Sequence, residues 1–216
     1  MHEIHLYPDE LCMIKNNLPI GVLALQGDFL EHIRALRGLG VHATEIKLPH
    51  QLDAIHGLII PSGESTTMAR LIDEFGLREP LIEKIKKGLP VWGTCAGMIL
   101  LAKKLREDRP QPLGLMDITV ARNDFGRQVN SFETDLKIPV LGNKPFHTVF
   151  IRTPKVMKAG SNVKVFAHLP DKSIVAIQQN NMLGTSFHPE LTQDTRFHEY
   201  FLNLIHKSMS FQKFSP

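Results

Sequence analysis

The sequence predicts an α/β protein, a single domain built on a doubly wound, mostly parallel sheet with helices on both faces and a strand-rich second half. Three observations predict this. In the first half, apolar runs of strand length alternate with amphipathic runs of helix length, the signature of repeated β-α units. After Leu113 the runs become short, β-like and separated by Gly, Pro, Asn and Asp. The length of 216 residues, 43% of them hydrophobic, suffices for one well-buried core.

The elements follow in order. Residues 20–27, IGVLALQG, form an apolar, β-branched run with a glycine stop, as a buried strand requires. Asp28 with Glu31 three residues on reads as a capping box, opening a helix in which Leu30, Ile33, Leu36 and Leu39 recur at helical spacing before Gly38 and Gly40 end it. Residues 41–48 (VHATEIKL) and 56–63 (HGLIIPSG) read as two more strands. Helical segments are expected over 65–77 and 79–88, and LPVWG at 89–93 returns as a strand. Short β-like runs then span 116–141, 146–154, 163–169 and 173–187. Residues 195–209 close the domain as a helix carrying Phe197, Phe201, Leu204 and Ile205 on one apolar stripe. Poor periodicity at both ends predicts an N-terminal extension (1–17), a domain over 18–206 and a C-terminal tail (207–216).

Charge and composition remove several classes of function. The net charge is +3, from 25 basic and 22 acidic side chains, and no Lys/Arg block exists to track a phosphate backbone, so nucleic acid is not an expected partner. No apolar run approaches the roughly 20 residues of a membrane span, and residues 1–19 lack the layout of a signal peptide. A cytoplasmic protein without membrane contact is expected. Its two cysteines, Cys12 and Cys95, are expected to be unpaired.

Cys95 lies in GTCAG, between Gly93 and Gly97, where a strand ending near Gly93 must turn directly into a helix starting near Ala96. This is the cysteine counterpart of the nucleophile elbow, in which small flanking residues let a strained residue project above the sheet. The helix N-terminus favours thiolate over thiol. Such a nucleophile needs a proton donor for the leaving group. GTSFHPEL supplies His188, and Glu190 two residues on shares its face in an extended segment and can orient the imidazole. The two histidines of HEIH near the N-terminus are expected to be incidental, and Met98, Phe29 and Trp92 to be core residues beside the elbow.

With these motifs the chain resembles the glutaminase subunits of two-component pyridoxal 5′-phosphate synthases, within the class I (triad) glutamine amidotransferases. The likeness runs from about Leu18 to Ile205, through IGVLALQGDFLEH, LIIPSGESTTM, VWGTCAGMILLAK, VARNDFGRQVNSFE, FHTVFIRTP and GTSFHPELTQDTRFHEYF. The elbow and HPE belong to the wider superfamily, whereas RNDFGRQ…SFE and the GEST loop point to the vitamin B6 branch. The resemblance implies a flavodoxin-like core, with Cys95 as nucleophile, His188 as general base and acid, and Glu190 as orienting carboxylate. It implies glutamine contacts at Gly63, Glu64, Ser65, Arg122, Ile151 and Arg152, and an oxyanion hole from the backbone N–H groups of Gly63 and Ala96. Arginines and a carboxylate suit the carboxylate and ammonium of a free amino acid.

The implied reaction hydrolyses L-glutamine through a Cys95 thioester and delivers ammonia to a synthase subunit in a large hetero-oligomer, with no metal or organic cofactor. In the family the loop before the second helix usually reads Pro-Gly-Gly-Glu-Ser, whereas Ser62 here replaces the first glycine. Two expectations follow for Ser62: either the cost of positive φ biases the loop toward one of two states and gates the activity, or φ stays negative in both states and the hydroxyl meets solvent. Three alternatives stay open at this stage: a Cys/His/Glu hydrolase of another amide, an amidotransferase serving a different synthase, and a non-catalytic relative. The last would be expected to lack one of the three residues.

Overall fold

The computed structural model describes residues 18–122 and 131–212. The expected N-terminal extension with Cys12 and HEIH, residues 123–130 of the RNDFGRQ…SFE motif, and residues 213–216 lie outside the described residues.

The first half alternates as its sequence requires. Strand β1 (Ile20–Leu23) leads to helix α1 (Phe29–Gly38), then come β2 (Ala43–Ile46) and β3 (Gly57–Ile60). Two helices follow, α2 (Ser65–Glu74) and α3 (Arg78–Lys86), then β4 (Val91–Thr94) turning through Cys95 into α4 (Ala96–Leu101). The strand-rich half comprises β5 (Ala102–Leu105), β6 (Met116–Ala121), β7 (Ser131–Leu136), β8 (Phe146–Ile151), β9 (Lys155–Ala159), β10 (Lys164–His168), β11 (Ile174–Gln179) and β12 (Met182–Thr185). Helix α5 (Arg196–Gln212) closes it, running past the 206/207 boundary drawn from sequence.

The main sheet has the order β2-β1-β3-β4-β12-β11-β9-β6-β5, with β10 on β11; β7 and β8 form a separate hairpin. Strands β2, β1, β3, β4 and β12 are consecutively parallel, while β11 and β9 join antiparallel. Strand β12 is last in the chain yet sits beside β4, and its Thr185 pairs with Thr94. The segment that follows β12 therefore emerges next to the turn at Cys95.

Because successive side chains in a strand point to opposite faces, the central strands feed two cores. Leu58, Ile60 and Val91 pack under α2, α3 and α4 with Met68, Ile72 and Leu81, whereas Ile20, Val22, Ile59 and Trp92 pack under α1 and α5. Phe197, Phe201, Leu204 and Ile205 are all buried, as the stripe predicts, and Trp92 packs against Phe197 and Phe201. Burying each large side chain is worth about 1.5–3 kcal/mol, so this second core anchors α5 across the sheet. No helix among the described residues is long and apolar enough to cross a membrane.

Three local expectations need correction. Strand β1 stops at Leu23 because the chain leaves the sheet to bring Gly27 against the loop after β3, where an added Cβ would lie 1.8 Å from the Ser62 carbonyl oxygen. Leu30 is 44% exposed rather than on the buried stripe, which is carried by His32, Ile33 and Leu36. Asp28 does stand at the N-cap of α1, but its side chain makes no cap bond, so the capping box does not form; its carboxylate is engaged by Ser62.

Candidate active site

The turn at Cys95 is strained. Its φ of 46° and ψ of −101° lie in a region that a Cβ disfavours. The turn exists because Gly97 lets α4 start against β3: a Cβ there would lie 2.0 Å from the Ile60 carbonyl oxygen. One at Gly93 would lie 2.5 Å from the Gly97 carbonyl carbon. The Cys95 amide donates to Thr185 at 2.8 Å, fixing the elbow to β12. Its sulfur is nearly buried and faces the Ile151 carbonyl oxygen at 3.9 Å. Ala96 is the first residue of α4, so its N–H has no intrahelical acceptor.

The chain after β12 delivers the histidine. His188 donates its amide to Val149 of β8 at 2.9 Å, and Pro189 then opens a one-turn 3-10 helix over Pro189–Leu191. The segment is therefore a turn rather than the extended run expected, yet it brings His188 Nδ1 to 3.1 Å from Glu190 Oε1. With Nδ1 directed at carboxylates, Nε2 has no partner of its own among the described residues and is the nitrogen left to serve Cys95. Burial alone would lower the His188 pKa. The Asp28 carboxylate, the Cys95 sulfur and Glu190 outweigh it and push the pKa up to about 12. This is a protonated imidazole held against two carboxylates.

Sequence reasoning missed four residues around this group. Ser62 is fully buried, so the expected solvent-facing hydroxyl is not found, and its φ lies outside the left-handed region, so this conformation is free of the strain on which the gating expectation turns. Its hydroxyl lies 2.5 Å from Asp28 Oδ2 and 2.9 Å from Glu190 Oε1. Asp28 Oδ2 is also 3.7 Å from His188 Nδ1, and its pKa is lowered, foremost by His188. Behind Glu190, His32 Nε2 stands 3.5 Å from Oε2, while His32 Nδ1 and His198 Nε2 share a hydrogen bond of 3.1 Å. Burial drives the pKa of His32 well down and that of His198 to about 4, so both are neutral. Donor atoms of Asp28, His188 and Glu190 lie within 4.8 Å of one another, close enough for a cation, but the imidazole N–H and the Ser62 hydroxyl already bridge these atoms.

A cavity of about 340 Å³ opens onto Cys95 and His188, within the range of small-molecule sites. All six expected glutamine contacts, Gly63, Glu64, Ser65, Arg122, Ile151 and Arg152, line it, as does Ala96. The Glu64 carboxylate caps α2 through Thr66 and Thr67 and pairs with Arg122 Nη2 at 3.0 Å. Arg122 Nη1 donates to the Arg109 carbonyl, and its Nε is buried without a partner among the described residues. Arg152 sits at φ 44°, a second strained non-glycine residue on the wall. A larger hollow of about 790 Å³, between the β7–β8 hairpin and residues 191–196, does not include Cys95. There an exposed His147 is held between Glu133 and Asp135.

Sulfur poised over a small polar cavity, with one imidazole able both to take and to return a proton, is the equipment of acyl transfer from an amide. The particular family follows from comparison with known proteins. The model of the SNO glutamine amidotransferase family matches residues 22–207, and the chain belongs to that family. The pyridoxal 5′-phosphate synthase subunit PdxT of Herpetosiphon aurantiacus is 57% identical over 190 residues, covering 87% of this chain and all of the relative. The protein of the same name from Dehalococcoides mccartyi is 55% identical over 189 residues, covering 87% and 97%. A solved structure described as a glutamine amidotransferase matches with a TM-score of 0.82 at 46% identity, covering 87% of this chain and 98% of its own.

Proposed function

We propose that this chain is the glutaminase subunit of a two-component pyridoxal 5′-phosphate synthase, hydrolysing L-glutamine to L-glutamate and ammonia and passing the ammonia to a separate synthase subunit. Its high identity, over nearly the whole chain, to relatives named as subunits of that synthase supports the assignment. The observation that carries the chemistry is the strained Cys95 beside a His188 whose other nitrogen faces carboxylates. Cys95 sulfur attacks the side-chain amide carbon of glutamine, forming a carbon–sulfur bond. As the carbon–nitrogen bond breaks, His188 Nε2 gives its proton to the leaving nitrogen and ammonia departs. Water then attacks the thioester, returning a proton to His188 and the sulfur to Cys95. The Gly63 and Ala96 amides meet the oxyanion, a contribution of about 3 kcal/mol per donor. Arg122, Arg152, Glu64, Ser65 and the Ile151 carbonyl position the substrate's charged ends.

Residues 18–206 act as one glutaminase domain, the pair works in the cytoplasm as a large hetero-oligomer, and no metal or organic cofactor takes part. The test is nitrogen transfer. With a synthase subunit, a pentose phosphate and a triose phosphate, adding this chain should let glutamine replace ammonium salts in forming pyridoxal 5′-phosphate. If only ammonium salts support product in its presence, the proposal is wrong.

A further inference from the structure

Asp28 occupies a helix N-cap without capping. A cap bond is worth about 1 kcal/mol, and the α1 N-terminus offers free N–H groups, yet the carboxylate turns away from them toward His188. The Ser62 hydroxyl lies between that carboxylate and Glu190. Residues from three separate segments thus close a ring, running from His188 Nδ1 to Glu190 Oε1, Ser62 Oγ, Asp28 Oδ2 and back to Nδ1. Two carboxylates so close to one hydroxyl repel each other unless a positive charge faces both, and the imidazole is the group placed to carry it. The other charged or titratable groups around His188 are Cys95 at the elbow, His32 from α1, neutral by burial, and the Glu64–Arg122 pair and Arg152 on the cavity wall.

We propose that Asp28 and Ser62 are positioning residues of the glutaminase reaction: the Ser62 hydroxyl fixes the Glu190 carboxylate against the ring, and Asp28 supplies a second negative charge that keeps the imidazole protonated, ready to give its proton to the leaving nitrogen. This deepens the reading of Cys95 and His188 given above and rests on it. The triad carboxylate of this chain is thereby shared. Glu190 orients the ring from its own turn, while Asp28 and Ser62 tie the ring to the loop after β1 and the loop after β3. Because Ser62 immediately precedes Gly63, the same hydroxyl also anchors the loop that carries one of the proposed oxyanion donors.

The test reads the protonation of the ring directly. In the full-length protein, the imidazole nitrogen NMR signals of His188, assigned by their loss in His188→Asn, are followed from roughly pH 6 upward for wild type, Asp28→Asn, Asp28→Glu and Ser62→Ala. The kcat and KM for glutamine are measured alongside with synthase present. One neighbouring carboxylate moves a pKa by about one unit or more, so Asp28→Asn should bring the loss of the His188 ring proton to lower pH by about one unit. Its kcat should fall in step while KM stays within about twofold, and Asp28→Glu should restore part of both. Ser62→Ala, which leaves the backbone free to keep its conformation, should show the same pattern to a smaller extent, and it carries the test should Asp28→Asn fail to fold. Profiles identical to wild type in folded variants, or losses confined to KM, overturn the inference. If wild type itself shows no glutamine hydrolysis with synthase present, the underlying reading of Cys95 falls instead, so the two failures are distinguishable.

Discussion

The strain at Cys95 can be isolated by comparing two substitutions that delete the same sulfur. Cys95→Ala keeps the Cβ that disfavours φ 46° and ψ −101°, whereas Cys95→Gly removes it. A non-glycine residue held in such a region costs about 1–3 kcal/mol, so relief is worth about 2 kcal/mol at mid-range. The glycine chain is freer when unfolded, which offsets about 0.5–1 kcal/mol of that gain. Net, the glycine variant should be more stable than the alanine variant by about 1 kcal/mol, or about 2–4 °C in Tm for a chain of this size. Urea unfolding followed by the fluorescence of the fully buried Trp92, together with thermal melts, provides the assay. An alanine variant as stable as the glycine variant, or more so, would refute the claim that the elbow stores strain to present its thiol. Neither variant should hydrolyse glutamine.

Replacing His188 by Asn should cost about two to four decades of kcat, the usual size of an acid–base contribution, and Glu190→Gln should cost less, since an amide still holds the ring; equal losses in steady-state ammonia release would give Glu190 a direct role. Gly97→Ala should destabilise the fold by more than about 2 kcal/mol, because its Cβ meets backbone at Ile60 that cannot swing away; a denaturation midpoint equal to wild type would contradict the elbow packing. His198 binds its proton only near pH 4 when folded, against about 6.5 unfolded, so it should reduce stability progressively as pH falls from about 6.5 to 4, by up to roughly 3 kcal/mol. Urea midpoints across that window should therefore fall less steeply in His198→Asn than in wild type, and parallel slopes would count against a neutral buried His198.

The parts of the site legible in the sequence are those whose geometry is local. Cys95 announces itself through Gly93 and Gly97, and His188 and Glu190 lie two residues apart, so a turn in place of the extended segment left their contact intact. Alternating periodicity likewise gave the sheet and the two helical layers, because the core strands and the α5 stripe bury nearly every residue the pattern assigns. What stayed hidden depends on long-range placement. Ser62 meets Asp28 across 34 residues and Glu190 across 128, and His32 meets His198 across 166. Asp28 shows the difficulty most clearly: its sequence neighbours say helix cap, and only the fold reveals a histidine competing for the carboxylate. The end of β1 was misjudged for the same reason, since the approach of Gly27 to Ser62 outweighs the apolar run that would have continued the strand.

The central claim, that Cys95 is the nucleophile of a glutaminase, is tested most directly by measuring ammonia and glutamate released from L-glutamine by wild type and Cys95→Ala, each with synthase subunit present. Wild type should release the two products in equal amounts, and Cys95→Ala should fold, bind glutamine and release neither. Sustained hydrolysis by purified Cys95→Ala, or no hydrolysis by wild type with its partner, would contradict the account.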